Sequence, residues 1–449
     1  MRDLARRHGP AMLLRFGEVP ALVVSSREAA REVTKTHDTA FASRSQSATM
    51  RTFYERGTGM LFVPYGDYWR QLRRIFVTEM LNARRVLSFR PIRGQGVAAM
   101  LKACAAAAAR SEPIEMRERL AAFVADTTLR ALVGDRLKDR DKLVHEADRS
   151  IEIATGFNLP DLWPSSWLLH RLSSSVRCVK DLRDTAFHIL DDSIKEHLER
   201  IENGGSGSED LLDVLLKIQR GGNLEFPLHT DDIKTVILEI VVAGSETTTT
   251  TLEWALVELI RHPKAMERVT AELRRAFAAH GTVSEQALGE LPYLHLVIRE
   301  TLRLHAPVPL LLPRECREPC QVLGYDVPRG TRVLVNAWAM GRDERYWPGD
   351  PEEFRPERFQ AEGVADVDFK GADFEFLPFG AGRRMCPGIG FGLANVEIAL
   401  ASLLFHFDWE APAEFDMTEA FGLTARRKSD LPLRPILRVP IPAPEARGA

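Results

Sequence analysis

Cys386 stands in FLPFGAGRRMCPGIGFGLANVEIALASLLFHF, with Arg383 and Arg384 before it, Gly388 after it and a long apolar helical pattern behind. A thiol at a helix N-terminus beside guanidinium groups is displaced toward the thiolate, because the free amides and the arginines both favour the anion. A thiolate is a metal ligand; the competing reading is an inert buried thiol. The cysteines lie at 104, 178, 316, 320 and 386, Cys316 and Cys320 have no second pair, and no histidine cluster accompanies Cys386. That spacing excludes an ordinary zinc site. An odd count fits a reducing compartment.

Such a sulfur needs a frame of helices. The strongest helical signal is HTDDIKTVILEIVVAGSETTTTTLEWALVELIRHP, with Thr230 as its N-cap and Pro263 as its end. At about 30 residues this helix spans on the order of 45 Å, enough to cross a domain. Its centre is poor helix sequence: Gly244 and the threonines from Thr247 to Thr251 each cost roughly 0.5–1 kcal/mol relative to alanine. Threonine hydroxyls also bond back to preceding carbonyls and bend helices. Two readings stand, a distortion with a use and a benign kink. In RETLRLHAPVPLLLPRE, Glu300 and Arg303 sit three apart on one helical face, a pair that alone contributes only about 0.2–0.5 kcal/mol. Arg358, in the Pro-rich NAWAMGRDERYWPGDPEEFRPERF, is able to complete a buried charged network with them and so fix the loop before Cys386.

Composition bounds the rest. With 45% hydrophobic and 27% charged residues and a net charge of -3, the chain has no bulk preference for nucleic acid. NGGSGSED near residue 203 and QRGGN near residue 219 read as helix-connecting loops rather than hinges, so residues 1–449 read as one domain. RFGEVPALVVSS and QVLGYDVPRGTRVLVNAWAM alternate like strands, whereas DTTLRALVGDRL, FHILDDSIKEHLERI and AMERVTAELRRAFAAH have helical spacing. The expected fold is mainly α with a minor β region. Neither a run of 18 apolar residues nor a signal-peptide core is present, so the chain by itself reads as soluble. One stretch complicates this: GFNLPDLWPSSWLLHRL, residues 156–172, crowds Phe157, Leu159, Leu162, Trp163, Trp167, Leu168 and Leu169 into a Pro-broken segment. It is either a loop folded onto the core or an interfacial membrane contact.

Together these stretches resemble the cytochrome P-450 haem-thiolate monooxygenases, specifically the large plant microsomal group. PFGAGRRMCPG matches the haem-loop pattern FxxGxRxCxG through Phe379, Gly382, Arg384, Cys386 and Gly388. AGSETT from Ala243, ETLR, PERF and WRQLR (Trp69 to Arg73) match four further family motifs in the expected order, and the resemblance covers nearly the whole chain.

The resemblance implies a haem b buried between the long central helix and the helix after the cysteine loop, with Cys386 as the axial thiolate whose electron donation favours O–O cleavage. It assigns haem-propionate contacts to Arg384, Trp69, Arg73 and Arg314. Phe379 would shield the sulfur, and Gly382 and Gly388 would permit the tight turn and close approach to the porphyrin. On the other haem face Ala243 and Gly244 would leave room for O₂. Glu246 and Thr247 would supply an acid and an alcohol that relay protons, and Thr247 is the expected relay. Glu300, Arg303 and Arg358 would support the loop rather than catalyse.

Electrons would come from NADPH through NADPH-cytochrome P-450 reductase, with Arg70, Arg74 and Arg383 as a candidate basic docking patch. The implied pocket is lined by RSQSATMRTF, the segment before Ala243, Val308 to Leu312 and a late loop at Phe421, Gly422 and Leu423. Leu310, Leu311, Leu312 and Phe421 suggest a small lipophilic substrate, with terpenoids ahead of phenylpropanoids and indolic compounds. Members of the group usually begin with a membrane anchor and a Pro-rich hinge, and this chain begins near where the hinge should end, as a truncated form or a short gene model would. Attachment to the cytosolic face of the endoplasmic reticulum membrane is therefore an expectation of the resemblance. The competing functions are a haem-binding sensor or inactive paralogue without turnover, and a haem-thiolate isomerase or dehydratase.

Overall fold

The central helix runs unbroken from Thr230 to Arg261, 32 residues or about 48 Å, through a computed structural model that describes residues 1–442 apart from 56–58, 136, 154–156, 204–208, 413, 415 and 421. Its cap lies one residue earlier than expected: His229 is the N-cap, and its backbone N–H donates to Asp232 Oδ2 at 2.7 Å. Pro263 does end the run, because it opens the next helix, Pro263–Phe277. The threonines do what their chemistry allows. Thr247 and Thr251 hydroxyls donate back to the carbonyls of Ala243 (2.7 Å) and Thr247 (2.9 Å), which leaves the helix continuous.

Helices pack around this rod. Met116–Val133 lies along it on one side, the helix Pro292–Leu304 and the cysteine-loop helix Ile389–His406 on others. Ile389–His406 is long and apolar enough to cross a membrane, but most of it is buried in the main core, which explains its composition. The minor β region is a five-stranded sheet in the order Ala11–Phe16, Val19–Val24, Arg332–Val335, Arg314–Glu315, Ser43–Arg44. Its last pairing sets Arg44 directly opposite Arg314. Mainly helical architecture with small sheets is thus as the periodicities indicate. The segment near residue 219 ends a helix, Leu211–Gly221, with Gly222 left-handed at φ 66°; of the segment near 203, residues 204–208 lie outside the described ones.

The ETLR helix carries a buried charge cluster. Glu300 accepts from Arg303 Nε and Nη2 (2.7 Å each), the Arg355 amide (2.9 Å) and Arg358 Nε (3.3 Å), and all three charged side chains are at most 1% exposed. The remaining guanidinium N–H groups of Arg303 and Arg358 donate to carbonyls between Gly341 and Glu353. Arg358 therefore fixes the 348–353 loop directly, and among the described residues the cluster is linked to the cysteine loop through rings. Trp347, under the Arg303 guanidinium, meets Phe376; Phe376 meets Phe369, and Phe369 meets Phe379. Because removing one partner leaves buried charge uncompensated, Glu300→Gln is expected to cost about 3–5 kcal/mol of stability. Urea unfolding of the purified protein checks this, and a loss below about 1 kcal/mol would mean that the cluster is structurally redundant.

The 156–172 segment is docked on one side and open on the other. Asp161 accepts from the Thr49 amide and hydroxyl at 3.0–3.1 Å, and the Leu162 carbonyl accepts from the Glu18 amide at 2.8 Å. Yet Leu159, Trp163, Trp167, Leu168 and Leu172 are exposed, Trp167 by 70%. Gly156 lies outside the described residues.

Candidate active site

The cysteine loop is built by backbone geometry. Cys386 N–H donates to the Phe379 carbonyl at 2.9 Å and Met385 N–H to Gly382 O at 3.0 Å, a turn that needs Gly382 at φ 66°. A Cβ on Gly382 would sit 2.1 Å from the Thr34 carbonyl. The close approach demanded of Gly382 is therefore to residue 34. Gly388 has an ordinary φ of -93°, and a Cβ there would lie 3.8 Å from the Cys386 sulfur with nothing nearer. Its contribution is its amide.

The sulfur's electrostatics differ from the sequence expectation. Burial raises the Cys386 thiol pKa, while the Gly388 N–H and the charge of Arg73 pull it down. The two flanking arginines turn away: Arg383 pairs with Asp38 at 2.8 Å, and Arg384 donates to the carbonyls of Ala42, Met60, Leu61 and Val63. Arg73 is the cation that acts on the sulfur.

A cavity of about 290 Å³ opens beside Cys386. Central-helix residues Ala243, Gly244, Glu246 and Thr247 line it together with Phe379, Arg384, Gly388, Trp69, Arg73 and Arg314, so the fold brings every expected site residue except Gly382 to its wall. Gly244 is not what opens the space, since a Cβ there would meet Thr128 Cγ2 at an ordinary 3.5 Å. Glu246 is clamped by Arg117 at 2.9–3.0 Å and accepts from the Thr424 hydroxyl at 3.1 Å. Among the described residues no hydrogen bond joins Glu246 to Thr247.

The substrate-side expectations hold in part. Met50, Phe53, Val308, Leu311, Leu312, Ile240, Val242 and Leu423 line the cavity, but Leu310 does not: it packs with Met12, Val23 and Leu334 beneath the sheet. Phe421 lies outside the described residues. Phe62, Phe76, Ile151 and Val179 complete the wall and carried no sequence signal.

The residues present suit an anionic macrocycle. Arg44 and Arg314 face each other across the strand pair, and like charges so placed destabilise a sheet. Burial lowers the pKa of both, against the pull of Asp38 on Arg314, and the charges of Arg384 and Arg314 lower Arg44 further; burial and then the charge of Arg314 push Arg384 down to about 9. Arg44 Nε is buried without a hydrogen-bond partner among the described residues, and Arg314 has Asp38 only at 3.4 Å. Two carboxylates arriving at this edge would relieve that repulsion, and a soft thiolate on the wall suits iron. In this structure Trp69 Nε1 and Arg384 instead share the Met60 carbonyl, at 3.2 and 3.0 Å, and Arg314 donates to Ala381 O at 2.7 Å.

Residues 1–429 match the cytochrome P450 family. The chain belongs to that family. Desmethyl-deoxy-podophyllotoxin synthase of Sinopodophyllum hexandrum is 45% identical over 97% of this chain and 86% of its own length. Premnaspirodiene oxygenase of Hyoscyamus muticus is 45% identical (96% and 87%), and dolabradiene monooxygenase of Zea mays is 44% identical (98% and 87%). A zebra fish cytochrome P450 solved with progesterone superposes with a TM-score of 0.81 at 25% identity, covering 97% of this chain and 98% of that one. This cytochrome P450 is accordingly a haem-thiolate monooxygenase that uses haem b, O₂ and NADPH electrons delivered by a redox partner, and acts on a small lipophilic molecule.

Besides those apolar residues, two charged residues of this P450 site, Glu239 and Arg117, escaped the sequence reading. Glu239, 3% exposed, accepts from the Met60 and Leu61 amides at 2.7 and 2.8 Å, and burial raises its pKa to about 7. Its signal was available, an acid inside the apolar run VILEIVV. Arg117 gave none, because its significance lies in what the fold sets opposite it; Arg44 opens the RSQSATMRTF stretch expected to line the pocket, but its place opposite Arg314 was not legible.

Proposed function

We propose that this P450 inserts oxygen into a terpenoid hydrocarbon of specialised metabolism. The observation that carries this reading is the cavity wall. Away from the arginine edge it is mainly apolar, and its two buried carboxylates are already engaged, Glu239 by two amides and Glu246 by Arg117, so it presents no free counter-charge to a basic or strongly polar substrate. The similarity to premnaspirodiene oxygenase and dolabradiene monooxygenase points to the same class. In this reading Cys386 ligates the haem iron, and Trp69, Arg73, Arg314 and Arg384 line the propionate edge. Phe379, Gly382 and Gly388 shape the loop, and Ala243 and Gly244 border the oxygen side. When bound, the haem supplies the iron that reduces O₂ and transfers one atom. The chain's own part is to exclude water, orient the substrate and move protons at the Thr247 hydroxyl with Glu246 as their source. Residues 1–449 act as one domain.

Incubation with reductase, NADPH, ¹⁸O₂ and sesquiterpene or diterpene hydrocarbons should give products heavier by one labelled oxygen. Turnover of aromatic metabolites only would overturn the terpenoid class. A product without label would favour isomerase or dehydratase chemistry, and no product with intact spectra a sensor.

NADPH-cytochrome P-450 reductase is the proposed electron donor. Of the arginines expected to receive it, Arg70 pairs with Asp67 and Arg383 with Asp38, whereas exposed Arg74 has no ion pair among the described residues. Arg74→Glu is expected to raise the reductase concentration for half-maximal rate severalfold, and the effect should shrink with salt as charges are screened over about 8–10 Å. Equal curves for both proteins would remove Arg74 from the interface.

The exposed apolar side of residues 157–172 is the proposed contact with the cytosolic face of the endoplasmic reticulum membrane. Trp167→Ser combined with Leu168→Ser should lower recovery with floated phosphatidylcholine vesicles, and unchanged flotation would place the contact elsewhere.

A further inference from the structure

Glu246 and Thr247, the acid and the alcohol of the proposed proton path, are each occupied elsewhere: the carboxylate by Arg117, the hydroxyl by the Ala243 carbonyl. For the carboxylate to reach the hydroxyl directly, it has to leave its clamp. How that clamp is built points to what releases it.

Arg117 is the second residue of the helix Met116–Val133, which packs along the central helix. Its guanidinium serves two carboxylates, with Nη2 on both Glu246 oxygens (3.0 and 2.9 Å) and Nη1 on Glu253 Oε2 (2.6 Å). Glu246 and Glu253 are seven residues apart, two turns of one helix face. The Glu253 side chain is fully buried, and its Oε1 has no hydrogen-bond partner among the described residues; the Arg427 Nη1 is 3.8 Å away. An open acceptor therefore waits beside the guanidinium. A fork that lets go of Glu246 can close on both oxygens of Glu253, so that Nη2 exchanges one carboxylate acceptor for another.

The late loop completes the clamp. The Thr424 hydroxyl donates to Glu246 Oε1 at 3.1 Å, and Thr424 and Leu423 both line the cavity. A molecule that fills the cavity against Leu423 bears on the residue next to the latch. On the solvent side, Asp148 on the helix Arg140–Ile153 is raised to about 6 by burial and then by the charge of Glu246, with Arg117, Arg426 and His145 opposing.

We propose that Arg117 is a positioning residue that times proton delivery: it holds Glu246 while the Thr424 latch is closed, and passes to Glu253 when substrate lifts the late loop. The proposal rests on the reading of Glu246 and Thr247 as acid and relay, and adds the group that controls them and the cavity contact that is sensed.

The test uses haem-loaded, full-length protein with reductase. Arg117→Gln is expected to keep the carbon monoxide spectrum and the substrate-induced absorption shift, while product per NADPH falls about 10-fold and peroxide release rises, a change of the size found when supporting partners are removed. Arg117→Lys, which keeps the charge without the fork, should recover part of that ratio; a purely structural role predicts no such split between spectra and coupling. A second readout needs no turnover. In the unmodified protein, substrate should speed amide hydrogen exchange at residues 424–427, and in Thr424→Val exchange should be fast already and unresponsive to substrate. If Arg117→Gln fails to load haem, Thr424→Val, which removes one hydroxyl and no charge, decides by this readout and by excess NADPH consumption without substrate. Unchanged coupling in Arg117→Gln alongside an uncoupled Thr247→Ala would overturn the proposal and leave the relay standing. No change in either variant would sink the relay reading itself, and an exchange pattern indifferent to substrate would sink the latch.

Discussion

Cys386→Ala should abolish the strongly red-shifted Soret band that the reduced, carbon monoxide-bound protein is expected to give, and with it all oxygen insertion. The loss is of kind rather than degree. No other cysteine lines the cavity, and among the described residues no histidine does, so no neighbour can take over as axial ligand. The charge on Arg73 and the Gly388 amide would then face a methyl group. Haem retention should fall as well, since only the arginine edge would hold the macrocycle. Melting temperature and far-ultraviolet dichroism distinguish a lost ligand from a lost fold, because the turn is held by backbone hydrogen bonds that alanine preserves. A histidine-type spectrum in the unmodified, folded protein would defeat the assignment.

Thr247→Ala carries the second large effect. Haem content and substrate binding should stay near those of the unmodified protein, while product formation drops on the order of 10- to 1000-fold and reduced oxygen leaves as peroxide. Stability should barely change. The Thr247 hydroxyl donates only to a carbonyl that the helix already satisfies, and alanine is the better helix former. A structural role predicts the reverse, poorer folding or haem loading with coupling preserved. Product per NADPH, taken beside peroxide release, separates the two. An unchanged ratio would move the relay to Glu246, to Thr248 or to a hydroxyl on the substrate.

How much of this was legible in the sequence depended on the range of the interaction. The central helix, the cysteine loop and the ETLR cluster were readable because their periodicity, turn residues and ion-pair spacing are local. The buried Glu300–Arg303–Arg358 group could be anticipated from composition, but not its indirect route to Phe379 through Trp347, Phe376 and Phe369, which only the packed rings reveal. Arg383 and Arg384 show the limit from the other side. Adjacent to the cysteine in sequence, they were expected to tune it, yet a Gly382 turn with positive φ sends their side chains to Asp38 and to the 42–63 carbonyls. Arg73, 313 positions away, acts instead. Opposed charges such as Arg44 and Arg314, or one guanidinium shared by Glu246 and Glu253, belong to tertiary register and leave no trace in one dimension.

The peptide at Met60 has a bearing on how such an enzyme can diversify. Its carbonyl receives both Trp69 and Arg384 from the cofactor side, while its amide and that of Leu61 are held by Glu239 on the substrate side. Remodelling this stretch to admit a new molecule would disturb cofactor retention in the same stroke, so it is evolutionarily expensive ground. Leu423 and Val308 touch the cavity without hydrogen-bonding the arginine edge. Lineages that exchange one substrate for another should therefore accumulate their replacements there and leave 59–63 almost untouched.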